Sequence, residues 1–187
     1  MVRRLMIRGL LPLGLVGAIL LGGHWLIRDG VPMARGRDGI GETWTVVPGS
    51  VYDGDTLRVQ RQGREERLRL CGIDAPEMAQ PLGPEARDHL RGLLAGHDEV
   101  LLMAVERDRY GRLVAEIWTG ADGVNDVNVN SQMVLDGYAF HYEQYSGNCP
   151  NRLAIMSAEL IAQDEGLGVW AVTGMVPPWE WRQQQQG

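Results

Sequence analysis

Three short segments of this chain concentrate side chains able to do chemistry on a charged ester. In "YDGDT" (52–56), Asp53 and Asp55 flank a glycine. Two acids at that spacing present oxygens suited to a hard cation such as Ca2+, but Asp-Gly is equally an ordinary reversal between strands. Taken alone, the segment needs no more than the turn reading. In "RLRLCGIDAPE" (67–77) a strand pattern ends in Asp74 and Glu77, with Pro76 between them. Strand alternation places Arg69, Cys71 and Ile73 on one face, so Arg69 projects from the surface the strand end leads into. Pro76 fixes its own backbone and biases Ala75 toward an extended conformation, which holds the two acids in a set relation. A loop with solvated charges is the rival reading, and this stretch alone does not decide. "ERDRYGR" (106–112) reads as a charged hairpin turn. It adds Arg112 at the start of a strand and Tyr110, an aromatic able to cover a base or sugar.

Together the segments offer Asp55, Asp74 and Glu77 with Arg69 and Arg112, each at a turn or strand end. Phosphodiester hydrolysis uses that inventory. A cation neutralises a non-bridging oxygen, a carboxylate takes a proton from water, and two guanidiniums stabilise the crowded phosphorus centre. Each segment has a bland explanation; the conjunction does not.

The elements that must position these residues are legible in outline. Strand patterns at 43–47, 56–61 and 67–71 are separated by turn residues. A helix over 83–96 opens with Pro84 and Glu85 and closes at Gly96, with Ala86, Leu90, Leu93 and Leu94 on one face. Strands resume at 99–106 and 112–118. A short helix near Asn130–Asp136 follows, then a last helix over about 151–165 with Leu153, Met156, Leu160 and Ile161 as its core stripe. Three strands, a helix, two strands and two helices predict an α+β fold, compatible with a five-stranded OB-type β-barrel and three flanking helices. The tail at 173–187, "VPPWEWRQQQQG" included, shows no period and reads as irregular and solvated.

Charge and hydropathy divide the chain. Residues 1–41 hold six arginines against two aspartates, whereas the remainder holds twelve arginines against 22 acids, and lysine is absent throughout. So acidic a body does not bind polyanions by bulk electrostatics; nucleic-acid contact requires a local arginine cluster or a bound cation. The apolar run from Gly9 to Ile27 follows three arginines and approaches the ~20 residues that cross a bilayer. Residues 1–27 are therefore expected to be a signal-anchor, with a cleaved signal peptide or a core helix as rivals. Residues 28–41 read as a linker. Either leading reading puts the domain outside the cytoplasm. Cys71 and Cys149 are expected to be two separate thiols, since two cysteines make no framework; pairing in an oxidising compartment is the alternative.

"DGDT" (53–56), "RLCGIDAPE" (69–77), "GPEA" (83–86) and "DRYGR" (108–112), in this order, resemble the staphylococcal nuclease-like family, the thermonucleases. "LDGYAFHYEQY" and the final helix ending in "GLGVW" extend the resemblance, and a domain over 42–172 follows from it. It implies an OB-fold enzyme, a Ca2+-dependent phosphodiesterase acting on single-stranded DNA and RNA. The bond cut would be the 5′ P–O bond, leaving 3′-phosphates. By motif position Asp55, Asp74 and the Ala75 backbone carbonyl would hold Ca2+, Glu77 would be the general base, and Arg69 and Arg112 would clamp the phosphate. Tyr110, Tyr145 and Arg109 would contact the substrate, with Arg109 standing in for the lysines usual at the nucleotide pocket. Ala75 replaces a threonine of the best-known member, and the loop after Glu77 is short. A monomer is expected. The alternatives from other classes are a non-catalytic OB-fold nucleic-acid-binding module and an extracytoplasmic domain that binds Ca2+ structurally.

Overall fold

The computed structural model describes residues 41–120 and 126–186. In chain order the strands and helices are β1 (Glu42–Val46), β2 (Thr56–Arg61), β3 (Arg64–Leu70), the two-residue β4 (Ile73–Asp74), α1 (Gly83–Leu94), β5 (Glu99–Arg107), β6 (Leu113–Thr119), β7 (Val127–Asn128), α2 (Val129–Leu135), β8 (Phe140–His141), α3 (Arg152–Glu165) and α4 (Pro178–Gln184). Apolar side chains at alternate positions of β2, β3 and β5 face inward, whereas β6 is buried on both faces over most of its length. Leu57, Val59, Leu68, Leu70, Val100, Leu102, Ala115 and Ile117 point inward and are buried. Neighbouring strands run antiparallel in the order β3-β2-β1-β5-β6. β3 then pairs with β6 in parallel, Arg69 opposite Val114, and closes a five-stranded barrel. Closure leaves no open edge among these five strands. Five barrel strands with helices packed outside fit the expected OB-type α+β architecture.

The parallel β3–β6 pairing matters for function because it brings the end of one charged segment beside the start of another. Leu68 pairs with Leu113, so Arg69 and Arg112 emerge at the same end of the barrel. α1 buries Ala86, Leu90 and Leu94, with Leu93 partly covered, as its apolar period predicts. α2 is buried at every position, and the Asn128 side chain caps it by accepting from the Ser131 N–H at 2.8 Å.

α3 departs from its expected stripe. Ile155, Ala158 and Ala162 face the core, whereas Leu153 and Leu160 are 67% and 60% exposed. α3 packs on the fully buried α2. Two alanines a turn apart let the backbones approach, and the larger residues are left outside. Side-chain size had pointed to the wrong face.

Two further expectations are corrected. The tail is not irregular throughout: α4 forms in it, opened by Pro178, and Trp179 stacks on Tyr142. Nor are the cysteines separate thiols. Cys71 and Cys149 form a disulfide, with Cα atoms 5.9 Å apart across 78 residues of sequence. Gly72 makes room for it: a Cβ there would lie 3.1 Å from the Cys149 sulfur, and its φ of +73° favours glycine. Such proximity comes from the turn ahead of α3 being brought beside the residue that follows β3, which no local pattern records. The apolar segment at 1–27 and the linker to residue 40 lie outside the described residues. Among the described residues no helix is long and apolar enough to cross a membrane.

Candidate active site

Asp53 builds the turn that aims Asp55. Its Oδ1 accepts from the N–H groups of Asp55 and Thr56 at 3.1 and 2.6 Å, so it satisfies backbone donors at the reversal. Gly54 allows the turn to settle onto two other segments. A Cβ at this position would stand 2.6 Å from the Ala75 Cβ and 2.9 Å from that of Ala86. Contact with Ala75 and α1 therefore requires glycine here. Asp55 is driven inward and becomes buried, accepting from the Ala75 N–H at 2.7 Å and the Thr56 hydroxyl at 3.1 Å.

Asp74 comes from β4, which pairs with β8 opposite Phe140, and is 1% exposed. A carboxylate so deeply placed requires cationic or hydrogen-bonding partners. Arg69 supplies one. Its Nη1 contacts Asp55 Oδ1, while its Nη2 donates to Asp74 Oδ1 at 2.7 Å and to the Ile73 carbonyl at 3.0 Å. Asp55 and Asp74, 19 residues apart, are thus spanned by one guanidinium. Arg182 of α4 supplies the other. Its Nη2 donates to Asp74 Oδ2 and its Nη1 to Glu77 Oε1, each at 2.7 Å. Burial alone would lower the Arg182 guanidinium, but hydrogen bonds to Asp74 and Glu77 outweigh it and raise its pKa.

Arg112 stands at the rim. Asp108 Oδ2 accepts from its Nε at 2.6 Å, and Asp108 Oδ1 accepts from its backbone N–H at 2.9 Å. Burial pushes the Asp108 carboxyl up, but these bonds from Arg112 hold it below the ordinary range. Burial raises the Asp53 carboxyl, and both Arg69 and Arg112 pull against that rise. Arg112 is therefore within electrostatic reach of the turn that carries Asp55, with its guanidinium resting on a neighbour rather than on the central carboxylates.

Aromatic side chains border the same region in two groups. Tyr110 is 64% exposed, with the Arg109 and Arg112 guanidiniums 4.9 and 5.5 Å from its ring centroid. Tyr145 is also exposed and meets Tyr142 edge-on at 4.7 Å. Tyr142 is the nearer to the carboxylates: burial and then Asp74 push its hydroxyl up, while Arg182 acts against them. A cavity of about 390 Å³ lies alongside, lined by Phe140, Tyr142, Trp170, Pro177 and Trp179 among others.

The chain is similar in sequence to known proteins. The family model described as staphylococcal nuclease homologue matches residues 67–172. The chain belongs to that family. An uncharacterized endonuclease of Escherichia coli O157:H7 is 38% identical over 135 residues, covering 72% of this chain and 82% of that protein. A staphylococcal-like nuclease of Arabidopsis thaliana, CAN1, is 36% identical over 121 residues, 65% of this chain and 34% of that protein. An uncharacterized endonuclease of Haemophilus influenzae is 33% identical over 137 residues, 73% of this chain and 71% of that protein. This staphylococcal nuclease homologue is a hydrolase of the nuclease class.

Of the residues singled out in the sequence, Asp55, Arg69 and Asp74 are in direct contact, and Ala75 is bonded to Asp55 through its N–H. Glu77 joins them through Arg182. Arg112, Arg109 and Tyr110 form a separate rim cluster, and Tyr145 reaches the site through Tyr142. Among the described residues no group of three or more His, Cys, Asp or Glu side chains is arranged to hold a metal ion. Asp55 and Asp74, drawn together by Arg69, are oxygen donors of the kind that Ca2+ takes. Two guanidiniums on these carboxylates show that the pair demands positive charge. The residues fit the ion. Arg182, Tyr142 and Trp179 escaped the sequence reading. Tyr142 had a signal, since "YEQY" offered two tyrosines; Arg182 lies 108 residues beyond Asp74 and had none.

Proposed function

We propose that this nuclease-family hydrolase is a Ca2+-dependent phosphodiesterase that cleaves single-stranded DNA and RNA at the 5′ P–O bond, leaving 3′-phosphates. The observation that carries the reading is Arg69 spanning Asp55 and Asp74 while Glu77 is tied to the same Asp74 through Arg182. Ca2+, when bound against Asp55, Asp74 and the Ala75 carbonyl, supplies charge neutralisation at a non-bridging phosphate oxygen. Arg69 is already oriented by its two aspartates, so it donates to a phosphate oxygen with little reorganisation. Arg112 turns from Asp108 to a second oxygen. Glu77, 40% exposed at its side chain, takes the proton from the attacking water. The new P–O bond forms as the bond to the 5′ oxygen breaks, and the departing alkoxide takes a proton from bulk water. Tyr110 with Arg109 offers a ring and a charge to the adjoining nucleotide.

Export belongs to the same proposal. The Cys71–Cys149 disulfide supports an oxidising compartment, and the basic, then apolar, N-terminus supports attachment to a membrane. The chain acts as a monomer in this reading. The test uses the full chain on single-stranded DNA and RNA with Ca2+ or with EGTA. Cleavage should vanish in EGTA and fall about 100-fold or more in Glu77→Gln and Arg112→Ala. Product ends should carry 3′-phosphate. Wild-type protein that cuts no faster than these variants under any divalent ion sinks the proposal.

A further inference from the structure

Helix α4 is seated on the site by contacts of different kinds. Gln80 Nε2, in the loop after Glu77, donates to the Val176 carbonyl at 2.6 Å just ahead of the helix. Trp179 stacks on Tyr142 with centroids 4.7 Å apart and meets Phe140 edge-on at 6.0 Å. Arg182 then reaches across to Asp74 and Glu77. A positive charge borne by the C-terminal helix thus occupies oxygens of one cation-holding carboxylate and of the general base.

We propose that α4 is a tethered competitor of the active-site cation, its Arg182 guanidinium neutralising Asp74 and Glu77 until Ca2+ takes its place. This rests on the cation-dependent reading above. The two arginines on Asp74 are not equivalent. Arg69 donates to Oδ1 alone, comes from the barrel and is 15% exposed; Arg182 donates to Oδ2 at 2.7 Å and more weakly to Oδ1 at 3.2 Å, comes from a seven-residue helix and is 38% exposed. Withdrawal of α4 frees Asp74 Oδ2 and Glu77 Oε1 together and leaves the Arg69 bridge in place. A divalent ion on Asp74 Oδ2 would take the place the Arg182 guanidinium holds at 2.7 Å, and the two positive charges repel at that range. The apparent affinity for Ca2+ is therefore reduced by the fraction of molecules with α4 docked. Docking also ties Glu77 Oε1, an oxygen of the general base, to the guanidinium. One movement governs both functions.

Isothermal titration of the full chain with Ca2+, in the absence of nucleic acid, tests this. Arg182→Gln should bind Ca2+ about tenfold more tightly than wild type, because the docked state no longer competes. Trp179→Ala, which loosens the helix away from the carboxylates, should shift affinity in the same direction. Misfolding would weaken binding instead. Amide hydrogen exchange over 177–185 of the wild-type chain should speed up on saturation with Ca2+. Equal or weaker Ca2+ binding by both variants, or unchanged exchange in α4 when Ca2+ is bound, overturns the proposal. Competition that is seen without any DNA or RNA cleavage sinks the nuclease assignment alone. Cleavage that needs Ca2+ but ignores Arg182 sinks the competition alone.

Discussion

Arg69 contacts Asp55 through one terminal nitrogen and Asp74 through the other, while the Ile73 carbonyl accepts from the second. A planar guanidinium spans two carboxylates in a way a lysine ammonium cannot. Arg69→Lys should therefore keep the charge and lose the alignment, cutting steady-state kcat on single-stranded DNA by about 100-fold. A loss under threefold would mean that charge, and not geometry, is what the site uses. At this scale the sequence was informative where neighbours in the chain are neighbours in space. Arg69, Asp74 and Glu77 lie within nine residues, and Pro76 and the strand period fix their relation. Tyr142 went unrecognised beside Tyr145 because the sequence does not say which of the two rings lies nearer the carboxylates. The hydrogen bond from the Tyr142 N–H to the Gly72 carbonyl, at 2.8 Å, and the stack on Trp179 separate their roles.

β6 carries a buried acid that joins three elements. Glu116 accepts from the Asn151 N–H and Nδ2 ahead of α3, and from Asn128 Nδ2 at the head of α2. Burial favours its neutral form and raises its pKa despite these donors. The unfolded chain loses the proton near 4.5, whereas the folded one retains it to higher pH. Its stabilising contribution is thus complete below about pH 4.5 and is lost as pH rises through the folded value. Urea denaturation of wild type and Glu116→Gln should show wild type losing ground to the variant between pH 4 and 7. A constant difference would rule the mechanism out. Strands and α1 were legible because one face of each is buried against the barrel, and period records that. α3 was misjudged because two of the three residues in its buried seam, Ala158 and Ala162, are alanines, which hydropathy weights little. α4 has too few residues for a period, and its position comes from partners elsewhere in the fold.

Across the molecule, the disulfide closes a loop that holds α1, β5, β6 and α2. On a chain-entropy basis, a loop of this length contributes roughly 4.5 kcal/mol by restricting the unfolded state. Cys71→Ser, Cys149→Ser and the double variant should each lose about 2–5 kcal/mol in guanidinium denaturation, the double little more than either single. Additive losses would show that the thiols act separately. The pairing was illegible because a separation of 78 residues says nothing of distance; the barrel and the turn ahead of α3 set it. The bridge also governs what a protease leaves behind. A single nick after Arg109, in the exposed turn beside Tyr110, severs the loop between the two cysteines. The pieces 1–109 and 110–187 stay covalently joined, migrating as one band until a reductant separates them. Asp55, Arg69, Asp74 and Glu77 lie on one piece, Arg112 and Arg182 on the other. A nicked chain would then be a two-chain protein with one covalent link, its halves also held by the β3–β6 and β5–β6 ladders.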